Sequence, residues 1–203
     1  DAMKLHFWAP LYTTIAAVPH MKRAGGGRIV NISSIGGKIA VPHLIPYSAS
    51  KFALTGLSEG LRSELMKDNI YVTTVSPGLM RTGSPRNAIF KGQHEKEYAW
   101  FAISDSLPGT SMSSKRAARR IVRACRDGEG EVLLSLPAKL AVTFHDLFPG
   151  ITSDLSALIN GLLPAPGGIG MRHALGRESE SPLTQSPLTL LSQRAAVANN
   201  QMQ

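Results

Sequence analysis

The side chains best suited to chemistry in this sequence are Ser34, Tyr47 and Lys51, all within RIVNISSIGGKIAVPHLIPYSASK, residues 28–51. A free phenol ionises near pH ~10 and keeps its proton at neutrality. An ammonium beside it stabilises the phenolate and makes it a usable general acid and base. Tyr47 and Lys51 are four residues apart, so on a helix they share one face. Ser34, thirteen residues before Tyr47, can donate a hydrogen bond to a carbonyl or alkoxide oxygen. The trio suits proton transfer at such an oxygen.

These groups need a strand, a loop and a helix to hold them. Ile29, Val30 and Ile32 form a β-branched run between the turn Gly25-Gly26-Gly27 and the pair Ser33-Ser34, which predicts a strand over 28–33. Gly36-Gly37 hinges the loop that follows, over 35–46. Leu54, Leu57, Leu61 and Leu65 then fall on one stripe of a helix over 46–67, which Asn69 stops. Residues 70–75 read as a second buried strand, ended by Ser76-Pro77-Gly78. There Pro blocks continuation and Gly lets the backbone approach a flat ring. Upstream, Phe7, Leu11, Ile15 and Val18 predict a helix over 2–23, with Pro10 and Pro19 against its continuity. Downstream, the sequence predicts a helix over 113–126, a strand over 131–135 and an amphipathic helical stretch over 136–163 interrupted at Pro149-Gly150.

Asn31-Ile32-Ser33-Ser34, Tyr47-x-x-x-Lys51, Ser76-Pro77-Gly78 and Thr82, in this order and spacing, resemble the short-chain dehydrogenase/reductase family. A bare Tyr-x-x-x-Lys is common, and the ordered set carries the resemblance, which extends over roughly residues 3–135. It implies an α/β fold, the C-terminal half of a Rossmann-like, doubly wound parallel sheet with flanking helices. It implies hydride transfer between NAD or NADP and an alcohol/carbonyl pair, with Tyr47 as acid/base, Ser34 polarising the carbonyl, and Lys51 supporting Tyr47 and the nicotinamide ribose. Pro77, Gly78 and Thr82 would seat the carboxamide. The family's proton-relay Asn is matched here by His6, a departure that is either a working imidazole or a hydrogen-bonded core residue. His43, Leu44 and Ile45 would lie near the substrate. Residues 83–112 correspond to the family's mobile flap, and Phe90, Tyr98, Trp100 and Phe101 there suggest an apolar substrate or simply pack the flap. The helices at 2–23 and 47–67 resemble the family's dimerisation pair, implying a homo-oligomer.

Two expectations concern what the sequence does not contain. The Gly-rich turn between a first strand and helix, which cradles a dinucleotide's pyrophosphate, has no counterpart here. The chain therefore reads as the chemical end of an active site, expected to bind a dinucleotide poorly in isolation and to be inactive as a fragment. Residues 1–168 are expected to form the catalytic domain and residues 169–203, polar and with two Ser-Pro steps, a flexible tail.

Composition narrows the remaining classes. Across 203 residues, 43% hydrophobic and 18% charged content describes a globular chain, and its single cysteine excludes a disulfide framework. No stretch approaches a membrane span and no leader is evident, so the reading is cytoplasmic. The net charge of +8 and the basic face of the 113–126 helix permit nucleic-acid binding, yet no interleaved aromatics support it. No metal site is expected, since the six histidines are scattered. Gly56-Leu57-Ser58-Glu59-Gly60 matches a hydrolase nucleophile elbow but lies inside a helical repeat. The main alternative to an enzyme is a non-catalytic relative serving as an interaction or regulatory module.

Overall fold

The computed structural model describes residues 1–202. In chain order its elements are α1 (Ala9–Arg23), β1 (Gly27–Ile32), α2 (Ile45–Leu65), β2 (Ile70–Ser76), β3 (Met80–Arg81), α3 (Ser84–Asn87), β4 (Ile89–Phe90), α4 (His94–Ser106), β5 (Met112–Ser113), α5 (Ser114–Asp127), β6 (Glu131–Leu133), α6 (Leu136–Leu147), α7 (Pro149–Asn160), β7 (Ala174–Leu175) and α8 (Leu190–Ala198). The chain divides into two compact units, one of residues 1–78 and 117–160, the other of residues 79–116 and 161–203.

The first unit is built on a parallel sheet in the order β1-β2-β6. Its ladder pairs Gly27 with Ile70 through to Ile32 with Val75, and Thr74 with Glu131 through to Ser76 with Leu133. β2 is central, and its β-branched run is buried at every position but Tyr71, as a strand covered on both faces requires. Ile70, Val72 and Leu65 form the core here, with Val18, Met21, Ile29 and Leu61 packed against them. α1 follows a π-helical turn at Lys4–Trp8 and runs unbroken through Pro19 to Arg23. Pro10 lies just past the π-helical turn, where the ladder is already widened and the Ala9 N–H donates to Lys4 O. Asn69 takes the left-handed conformation, φ 57°, after a short 3₁₀ turn ending α2.

α2 meets the sheet differently from the expected leucine stripe. Leu54 and Leu65 are buried, whereas Leu57 and Leu61 are only partly so. The most enclosed face of the helix is instead Ser48, Ser50, Lys51, Thr55 and Ser58. Asn31 of β1 donates to Ser58 Oγ at 2.7 Å, and Ser33 Oγ lies 2.8 Å from Thr55 Oγ1 and 3.1 Å from the Lys51 carbonyl. Short polar side chains let helix and strand approach closely while satisfying one another. Ser58 is thus a buried, hydrogen-bonded mid-helix residue, incompatible with a nucleophile elbow.

In the second unit β3 pairs in parallel with β5, and β4 antiparallel with β7. α4 buries Tyr98, Ala99, Ala102, Asp105 and Ser106. Phe90 packs its ring on Tyr98 and on Phe101, at 5.7 and 6.3 Å between centroids, so three of the four flap aromatics hold one another.

Residues 169–202 are structured as follows. They carry β7 and α8, with Ser179, Thr184, Thr189 and Ser192 buried, and belong to the same unit as residues 79–116. Their polarity is spent on turns and anchors: Ser186 Oγ accepts from the Leu188 N–H, Gln201 Oε1 from the Gly83 N–H, and Arg86 pairs with Glu180. These bonds satisfy polar groups that the packing encloses.

Candidate active site

Parallel sheets present their loops at the carboxyl ends of the strands, and the ends of β1 and β2 lie side by side here. The pairing continues past the strands: the Ser33 N–H donates to Val75 O at 2.7 Å and the Ile35 N–H to Pro77 O at 2.8 Å. Ser34 sits between them in extended conformation, φ −167° and ψ 163°. Its Oγ accepts from the Gly36 N–H at 3.0 Å, which leaves its own proton available to an incoming oxygen.

Gly36 is the meeting point. A Cβ placed there would lie 3.1 Å from Tyr47 Cε1 and 3.5 Å from Ser34 Oγ, so phenol ring and hydroxyl flank a residue with no side chain. Next to it, a Cβ at Gly37 would lie 2.5 Å from Ser33 Oγ and 2.7 Å from Lys51 O, which is how closely the loop lies on α2.

Tyr47 and Lys51 occupy successive turns of α2. The ammonium lies 5.8 Å from the Tyr47 ring centroid, is buried, and donates to Ile32 O at 2.9 Å. Burial lowers the Lys51 pKa from its ordinary value.

His6, in the π-helical turn ahead of α1, joins the group. Its ring stands edge-on to Tyr47 at 5.4 Å, and its Nδ1 lies 2.8 Å from Ser50 Oγ. Burial first, and the Lys51 charge second, push its pKa down. Sequence reasoning singled out His6 but missed Ser50, which donates to the Tyr47 carbonyl at 2.7 Å. A serine three residues after Tyr47 on the same helix is the pattern that back-bonds to the preceding turn.

Ser34, Tyr47, Lys51 and His6 are therefore brought together within the first unit. Pro77 and Gly78 join them through the Ile35 amide, and Gly78 lies close against Ser135 and Ala138, where a Cβ would come within 3.0 Å. Thr82 belongs to the second unit, where its hydroxyl lies 2.8 Å from that of Ser84. His43 is exposed and holds a left-handed backbone, φ 63°, unusual for a residue with a side chain.

The model of the short chain dehydrogenase family matches residues 1–90. A putative oxidoreductase, SadH, from Mycobacterium tuberculosis is 38% identical over 136 residues, 66% of this chain and 48% of that protein. A dehydrogenase/reductase SDR family protein 7-like from Anopheles gambiae is 33% identical over 150 residues, 73% and 46% of the two chains. The chain thus spans about half the length of the relatives it matches. Among solved structures, a short-chain dehydrogenase from Streptomyces avermitilis superposes with TM-score 0.56 at 28% identity, covering 79% of this chain and 61% of that one. Another from Burkholderia cenocepacia, in complex with NADP, gives 0.54 at 26%, covering 80% and 58%. The family model spans the segment that holds Ser34, Tyr47 and Lys51, the solved structures match the α/β, Rossmann-like parallel architecture, and by these likenesses the chain belongs to the short-chain dehydrogenase/reductase family of oxidoreductases.

Proposed function

We propose that this chain carries the catalytic residues of an NAD- or NADP-dependent oxidoreductase acting on an alcohol/carbonyl pair. One observation carries the reading: the Ser34 hydroxyl and the Tyr47 ring flank the bare Gly36, with the Lys51 ammonium one turn further along α2. In the reductive direction Ser34 donates its free proton to the substrate oxygen and fixes the carbonyl, while Tyr47 delivers a proton to that oxygen. The buried Lys51 charge favours the phenolate that remains.

The residues present fit the nicotinamide end of a dinucleotide. Lys51 uses one N–H on Ile32 O and keeps two for ribose hydroxyls, beside the Tyr47 phenol. Pro77 and Gly78, at the strand end, are the nicotinamide-seating residues of this proposal, and Thr82 is named as carboxamide partner on the sequence resemblance alone. When bound, the cofactor supplies or accepts the hydride. The relative solved with NADP supports this class of cofactor. With no Gly-rich cradle for the pyrophosphate in the sequence, the chain alone is expected to hold it weakly. An apolar substrate completes the proposal, supported by the aromatic content of residues 90–101, of which Trp100 stays exposed.

The test is deuterium transfer from labelled NADH and NADPH, at millimolar concentration, to a panel of apolar ketones. Tyr47→Phe is expected to lower turnover about 10²–10⁴-fold, the usual worth of a positioned acid/base. Because the chain alone is expected to be inactive, transfer is measured with the Gly-rich cofactor-binding half of a relative fused ahead of residue 1, and equal transfer by the wild-type and Tyr47→Phe fusions overturns the reading.

A further inference from the structure

Three polar side chains of the second unit line a small cavity with hydrogen-bonding capacity unspent. Ser192 of α8 is 7% exposed, and among the described residues its Oγ has no partner. A helical serine ordinarily reaches solvent or bonds the carbonyl four residues back, and Ser192 does neither. Arg86 of α3 pairs with Glu180, yet its Nε is buried and likewise unpartnered among the described residues. Gln193 spends both amide hydrogens, on Thr184 O and Thr189 Oγ1, so it offers only its side-chain carbonyl oxygen. All three residues line one cavity of about 30 Å³, which Tyr98 and Ala102 of α4 also line.

We propose that this cavity is a binding site for ordered water, one or two molecules of which serve Ser192 Oγ and Arg86 Nε. Size, polarity and charge all bear on the occupant. A water needs roughly 10–15 Å³ of such a volume, so the cavity admits about two and excludes an organic molecule of ordinary size. Cavities that stay dry are lined by apolar side chains. This one presents a hydroxyl that donates and accepts, a guanidinium that donates and an amide oxygen that accepts, which supplies the two to four polar partners a water requires. The Arg86 and Glu180 charges cancel, so the ligand is neutral rather than an ion. Thr82 and Gly83 line the cavity as well, so the water backs the turn after β3 and helps hold α8 against it. The site stands whether or not Thr82 seats a carboxamide.

Ser192→Ala separates a hydrated hydroxyl from an orphaned one by sign. The bond from the Ser192 N–H to Ser106 Oγ is made by the backbone and survives the substitution. Removing a hydroxyl that water satisfies breaks the bridge and leaves Arg86 Nε short of a partner, so the urea midpoint of the full chain should fall by about half a molar. Removing an orphaned hydroxyl relieves a buried polar group, so an unchanged or higher midpoint overturns the proposal. A crystal structure of the wild-type chain gives the second readout. Density for one or two waters is expected, at hydrogen-bond distance from Ser192 Oγ and Arg86 Nε. Density for a larger molecule, or none at a resolution that shows the surface waters, overturns it as well.

Discussion

At His6 the hydrogen-bond count decides which ring nitrogen holds the proton. Ser50 has one hydroxyl hydrogen and donates it to the Tyr47 carbonyl, so at Nδ1 the serine oxygen accepts and the imidazole donates. Nε2 is left as a bare lone pair in the neighbourhood of the Lys51 charge, and the ring is held neutral by burial and by that charge. Because the folded pKa lies below the ordinary 6.5, the stabilisation is present above that pH and lost as pH falls through the depressed value. Urea midpoints are expected to drop below pH 6.5 in the wild type, and His6→Asn should flatten that limb. Equal acid limbs in both proteins would count against a neutral, Ser50-bound imidazole. At this scale the sequence was most informative. Ser34, Tyr47 and Lys51 announce themselves by type and spacing, whereas the Ser50 bridge depends on a turn of helix brought against the Lys4–Trp8 segment, which no local pattern encodes.

Among elements, the contact of α2 with β1 shows where periodicity misleads. The leucines of α2 mark an apolar stripe, yet the closest approach to the strand runs along Lys51, Thr55 and Ser58, held by the hydroxyls and amide of Ser33, Thr55 and Asn31. Hydropathy scores these residues as solvent-facing, so the seam was invisible until strand and helix met. Each such buried bond contributes about 1 kcal/mol net, and leaving a partner unmade costs more. Gly37 lets the loop lie on this seam, and its absent side chain is a packing requirement. Gly37→Ala is expected to destabilise the chain by roughly 1–3 kcal/mol through overpacking, read as a lower urea midpoint. An unchanged midpoint would mean that the loop shifts aside without cost. The strands, the long helix and the stop at Asn69 were by contrast readable, since β-branched runs and turn residues act locally.

For the molecule as a whole, the two compact units answer pH in opposite directions. In the second, burial pushes the Asp105 carboxyl up to about 7, against the pull of a hydrogen bond from the Met80 amide. A raised carboxyl favours the folded state while protonated. Its contribution is therefore complete below the ordinary 3.8 and lost as pH rises through about 7. Asp105→Asn is expected to raise the thermal midpoint at pH 8 and to leave it nearly unchanged at pH 4; equal shifts at both would refute the buried acid. This unit was the least legible, because residues 161–202 are held by side-chain anchors to residues 79–116 that composition records only as polarity. The sheet has a last consequence for the whole chain. Its ladder runs on beyond β1 through the amides of Ser33 and Ile35, so Ser34, although outside the strand, is gripped on either side by the neighbouring backbone. Its hydroxyl inherits the stiffness of the sheet instead of the slack of a connector, and a reacting oxygen must come to a stationary target.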